Sequence, residues 1–92
     1  MKQAVVAQFT VPGMSAAQYD RVMEDLQRAG AGAPSARRYH VAAPNERGWS
    51  VIDVWDSAQD LEGFAQILVP ILIQNGVTPP TPTVLPVHNI AS

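Results

Sequence analysis

One carboxylate and two imidazoles carry most of the chemistry this sequence could do. The carboxylate, Asp53, sits in the run Gly48-Trp49-Ser50-Val51-Ile52-Asp53-Val54-Trp55-Asp56. That run is apolar at odd and even positions alike, the pattern of a central strand covered on both sides. Alternation along a strand places Trp49, Val51, Asp53 and Trp55 on one face. A carboxylate between two indoles is costly to bury unless it is paired or hydrogen-bonded, so it marks a place where a proton can be held or moved. The imidazoles are His40, in Ala36–Ala43 (ARRYHVAA), and His88, in the closing Thr83–Ile90 (TVLPVHNI). Burial raises a carboxylate's pKa and an adjacent imidazolium lowers it, so an Asp–His pair can hold one proton near neutral pH and act as general base and acid. Indole walls suit a flat, conjugated small molecule.

Simpler roles exist for each of these residues. Asp53 can be neutralised by Arg38 or by backbone donors, and His40 can be a satisfied structural histidine. Trp49 and Trp55 also suit core or interface anchors. Arg37-Arg38 reads as a solvated edge pair or as a clamp for an anionic group, and Met14, Tyr19 and Met23 as helix packing. His88 beside Asn89 reads as an edge residue. Other chemistries find little support. Cysteine is absent, so there is no disulfide, thiolate metal site or cysteine nucleophile. No GxSxG elbow occurs, and Gly30-Ala31-Gly32 follows a helix where a phosphate loop would open one. His40 and His88 fall on opposite edges of the expected sheet, so no metal site is expected with Asp53.

The elements that must position these residues are marked by their punctuation. Gln3–Val11 (QAVVAQFTV) reads as a second central strand, ended by Pro12-Gly13. Ser15 with Gln18 forms a capping box for a helix with the core stripe Tyr19, Val22, Met23 and Leu26, and Gly30 stands at its C-cap. After the loop Ala31–Ser35, the strand Ala36–Ala43 leads through the turn Pro44–Gly48 into the central strand. Ser57 with Asp60 caps a second helix whose stripe is Leu61, Phe64, Ala65 and Leu68; Pro70 should kink or restart it before Gly76. Prolines confine the last strand, Thr83–Ile90, to an edge. The order βαββαβ, with two apolar and two edge-like strands, predicts an α+β ferredoxin-like antiparallel sheet of order 4-1-3-2.

Composition bounds the rest. Ninety-two residues make one domain, 1–92, with a thin core. Apolar residues are 47% of the chain and charged ones only 15%, more apolar surface than a small monomer hides, which points to a homodimer. A net charge of −2 with no basic stripe argues against nucleic acid. Met1–Thr10 lacks a signal-peptide pattern, and Ile67–Ile73 is too short to span a bilayer, so a cytoplasmic protein with no membrane partner is expected.

Packing Ile52, Val54, Tyr39 and Val41 under the helices puts His40 and Asp53 together on the opposite face. A hairpin loop from Asn45 to Gly48 independently sets His40 directly across from Asp53. Placing Val5, Ala7 and Phe9 under the helices leaves Gln8 beside Asp53. The expected pocket therefore holds His40, Asp53 and Gln8 between walls of Trp49 and Trp55, with Arg38 and His88 as further substrate contacts.

The pattern FxxPGMxxxQYDxVMxxL over Phe9–Leu26, HVA at His40–Ala42, GWxVxDVWDS over Gly48–Ser57 and PVHNI over Pro86–Ile90 resembles the dimeric α+β barrel superfamily. It is most similar to small actinobacterial-type proteins grouped with antibiotic-biosynthesis-monooxygenase-like domains, over essentially the whole chain. The resemblance implies a homodimer whose two sheets face each other. It also implies activities among cofactor-free monooxygenases on polyketide quinol-like substrates, lactone isomerases, haem-degrading enzymes, haem peroxidases and stress-associated members. The expectation is a small cofactor-independent enzyme using His40 and Asp53 on a flat polyketide- or quinol-like molecule, as monooxygenase or isomerase/cyclase. The alternatives are a non-catalytic binding or stress-associated dimer, or a haem-binding member.

Overall fold

Turn and cap residues set the ends of nearly every element. The structure is a computed structural model and describes residues 2–91. Strand β1 (Val5–Pro12) ends where Gly13 takes a positive φ of 75°. Helix α1 (Ala16–Arg28) begins at Ser15: its Oγ accepts from the Gln18 amide at 3.1 Å, and Gln18 Oε1 accepts from the Ser15 amide at 2.9 Å. Such a cap contributes about 1 kcal/mol. At the other end the Gly30 amide bonds Gln27 O and the Ala31 amide bonds Leu26 O, a Schellman closure around left-handed Gly30. Strand β2 (Arg37–Asn45) turns into β3 (Gly48–Trp55) and then helix α2 (Ala58–Gln74), capped by Ser57 and closed the same way through Gly76 and Val77. Strand β4 (Thr83–Pro86) completes the order βαββαβ.

The sheet runs β2-β3-β1-β4, all antiparallel, which is the expected 4-1-3-2 order. Both helices cover one face. Val5, Ala7 and Val11 of β1 and Val51 and Trp55 of β3 are buried there with Val22, Leu26, Leu61, Phe64 and Ile71 of the helices. Asn75 ties the helices at one end, donating to Asp25 Oδ2 at 2.9 Å and accepting from Gln18 Nε2 at 3.0 Å.

Four expectations are corrected. Ile52, Tyr39 and Val41 face away from the helices and are 45%, 53% and 60% exposed; Trp49, Val51, Asp53 and Trp55 point inward instead. Both faces of β3 are apolar, so alternation alone does not say which meets the helices. The larger side chains go inward, where Trp55 packs on Phe64 at 5.0 Å between ring centroids. Gln8 pairs with Ile52, not Asp53, and is exposed on the outer face, because the β1–β3 register sets Ala7 across from Asp53. Of the expected kink or restart at Pro70, the restart is absent: α2 runs unbroken through it, with Pro70 on the exposed side and Ile71 and Leu72 buried beyond it. The last strand stops at Pro86, short of Ile90, and Val87 extends the contact, its amide bonded to Ala4 O at 2.9 Å and its carbonyl accepting from Gln3 Nε2 at 3.2 Å.

Candidate active site

The β2–β3 hairpin builds the site. Asn45 pairs with Gly48, leaving Glu46-Arg47 as the turn, and the Arg47 amide donates to Asn45 Oδ1 at 2.9 Å. Gly48 has φ 155° and lies so close to β1 that a Cβ would collide with the Val11 carbonyl oxygen. From that turn the register carries His40 directly opposite Asp53. His40 Nδ1 stands 2.6 Å from Asp53 Oδ1, and the Trp55 indole N–H donates to Asp53 Oδ2 at 3.3 Å. Asp53 is only 3% exposed, yet each carboxylate oxygen has a partner.

The other imidazole nitrogen meets helix α1. Tyr19 Oη lies 2.8 Å from His40 Nε2, and the Tyr19 ring stacks on Trp49 at 4.6 Å with planes 8° apart. An ionised Asp53 only accepts, so it selects the tautomer with hydrogen on Nδ1. Nε2 of the neutral ring then accepts from the Tyr19 hydroxyl. Burial pushes the Tyr19 phenol above its usual range; the Arg37 guanidinium works against this, and the negative charges of Asp53 and Asp20 add to it. Tyr19 is therefore a neutral donor at pH 7. The result is a directed chain, Tyr19 to His40 to Asp53, in which the carboxylate orients the ring and Nε2 is the basic atom.

Tyr19, His40 and Asp53 line an apolar cavity of about 60 Å³ between the sheet and the helices, with Phe9, Val51, Phe64 and Leu68 among its walls. It adjoins a groove of about 530 Å³ between α2 and the segment 79–84. Phe9, Phe64, Leu68, Leu72 and Pro80 belong to both. The inner space suits a small reacting group, and the groove has the volume of a ligand site.

Sequence reasoning brought His40 and Asp53 together correctly, on the helix side of the sheet rather than the other. Trp55 and Trp49 do not wall the cavity: Trp55 is 1% exposed and holds Asp53 from behind, and Trp49 backs Tyr19. Arg38 sits at a bulge in β2 and binds Asp56 at 2.6 Å, an exposed pair on the sheet edge. His88 is exposed beyond β4. Tyr19 was legible only as part of the helix stripe. Its place at the sheet-facing edge of an amphipathic helix, with a hydroxyl that needs a partner, is the signal that could have found it. Among the described residues no three His, Asp or Glu side chains converge to hold a metal ion, and no helix is long and apolar enough to cross a membrane.

No protein-family profile and no curated protein matches the sequence. Solved structures do match the fold. One, from Deinococcus radiodurans, is provisionally assigned as an antibiotic biosynthesis monooxygenase; it superposes with a TM-score of 0.63 at 13% identity, over 96% of each chain. Another is an asparagine-to-alanine mutant of SnoaB, a cofactor-independent oxygenase from Streptomyces nogalater, with a TM-score of 0.59 at 14% identity over 95% of this chain and 93% of that one. At such identities the likeness is one of fold. That fold is the one the sequence motifs imply.

Proposed function

We propose that this protein is a small cofactor-independent enzyme in which Asp53 and His40, extended by Tyr19, move a proton on a flat conjugated molecule of polyketide or quinol type. The observation that carries this reading is the imidazole of His40, fixed by Asp53 on one nitrogen and by Tyr19 on the other, at the wall of an apolar cavity. A neutral imidazole so oriented is suited to take a proton from an acidic carbon–hydrogen bond, directly at Nε2 or through the Tyr19 hydroxyl, and the nearby carboxylate stabilises the imidazolium that forms. In an oxygenation the resulting carbanion adds dioxygen to give a peroxide. The peroxide takes a proton back and loses water, so that one CH2 and one O2 become one C=O and one H2O. In an isomerase or cyclase the same proton returns elsewhere on the substrate. The two solved structures described above are named for oxygenases, which favours the first course.

The outer sheet face supports a homodimer. Tyr39, Val41, Ile52 and Leu85 are all exposed there, in one antiparallel patch that a second copy of the sheet would cover. Each subunit would then be a single domain of a two-sheet barrel. The functional reading is tested by turnover, under air, of a fused-ring phenolic ketone with an acidic carbon–hydrogen bond, comparing the natural protein with His40→Ala and Asp53→Asn. Loss of turnover in both variants is expected. Full turnover in either would overturn the acid–base role, and binding without turnover in the natural protein would make it a binding dimer.

A further inference from the structure

The two arginines that open β2 have opposite fates. Arg38 spends its charge on Asp56 at the sheet edge. Arg37 turns to the helix side, where it helps line the cavity that holds Tyr19 and His40. Its guanidinium lies 5.7 Å from the centre of the Phe64 ring, and one nitrogen, Nη2, donates to Gly32 O at 3.3 Å. Lys2, Arg28 and Arg38 each have a carboxylate within 4 Å, and Arg21 and Arg47 are exposed to water. Arg37 is half-buried and has no carboxylate partner among the described residues. Asp53, the acidic wall of the same cavity, has both oxygens committed to His40 and Trp55.

A guanidinium has five donors in a planar fork that matches a carboxylate, and here, among the described residues, one longer bond to a carbonyl is made. A partly desolvated cation in an apolar cavity is stabilised by an anion placed against it. We infer that the ligand of this cavity is an apolar acid whose carboxylate is bound by Arg37, its hydrophobic body running along the groove past Phe9, Leu68 and Pro80. This rests on the reading of the cavity as the active site, and narrows that reading to acidic substrates. It also gives the proton chain a fixed distance from a recognised group, since the acid anchors one end of the molecule while Tyr19 and His40 face another part of it.

The test is a matched pair of probes, 2-naphthoate and its uncharged amide, 2-naphthamide, titrated calorimetrically into the full chain at pH 7. The natural protein should bind the acid about 10- to 100-fold more tightly than the amide, the range of a charge-assisted fork. Arg37→Gln should abolish that preference and leave amide binding unchanged, Arg37→Lys should keep part of it, and Arg38→Gln should keep all of it. Thermal unfolding of Arg37→Gln checks its fold, and Arg37→Lys serves if it unfolds. Equal binding of acid and amide, no binding of the acid, or a preference that survives Arg37→Gln would overturn the inference. Because the readout is binding alone, it can fail while the acid–base role of His40 stands, and the reverse.

Discussion

His40 and Asp53 face each other across the β2–β3 ladder, with Nδ1 of the ring 2.6 Å from Oδ1 of the carboxylate. Both partners of Asp53 are N–H donors, the ring and the Trp55 indole, so the site requires two acceptors at this position. Asparagine supplies one acceptor and one donor. In Asp53→Asn the amide therefore confronts an N–H, and the conflict is relieved when His40 moves its proton to Nε2, which then ceases to be a base. We expect the variant to lose about 1–3 kcal/mol of unfolding free energy. Nitrogen-15 NMR of His40 should change from the Nδ1–H to the Nε2–H tautomer, and an unchanged tautomer would contradict the directed chain.

Tyr19 supplies a pH test. Its folded-state pKa is raised above the ordinary value of 10.0, chiefly by burial. Between those two values the unfolded chain has released a proton that the native protein still holds, so stability falls as pH rises through that window. In a Tyr39→Phe background, where Tyr19 is the remaining tyrosine, absorbance at the phenolate band should show titration above the ordinary range. Tyr19→Phe should remove the corresponding loss of stability at alkaline pH. A tyrosine titrating at or below the ordinary value would show that the hydroxyl is free in water instead of bound to Nε2.

The outer sheet face makes a prediction about assembly. Val41 and Ile52 are opposite one another in the β2–β3 ladder and are 60% and 45% exposed. Light scattering on a sizing column should give a dimer for the natural protein at micromolar concentration. Val41→Lys combined with Ile52→Lys should give a monomer with its helices intact by circular dichroism, since neither side chain belongs to the buried core. A natural protein that stays monomeric would contradict the two-sheet barrel.

What could be read from sequence followed the range of the interactions. Caps and turns are local, so Ser15 with Gln18, Ser57, Gly30 and the Asn45–Gly48 turn placed the helices and the hairpin, and with the hairpin came the pairing of His40 with Asp53. Gln8 lies on the outer face as expected, but it is not beside Asp53, because Asp53 faces the helices and Ala7 stands across from it. The direction in which β3 faces was hidden because Trp49, Val51 and Trp55 are balanced by Ile52 and Val54. Helical spacing turns Tyr19 toward the sheet but does not name its partner, and Arg37 reaches Phe64 of α2 through a tertiary contact that strand spacing does not encode.

The proposed chemistry begins when His40, held by Asp53, removes a proton from carbon. That step is common to the oxygenase and isomerase courses and can be observed without oxygen. The direct measurement is exchange of the acidic carbon-bound hydrogen of a fused-ring phenolic ketone for deuterium, followed by NMR in deuterated buffer under nitrogen. The natural protein should catalyse the exchange, and His40→Ala and Asp53→Asn should slow it by about 10²- to 10⁴-fold. Exchange at the natural rate in His40→Ala, or none with the natural protein, would contradict the account.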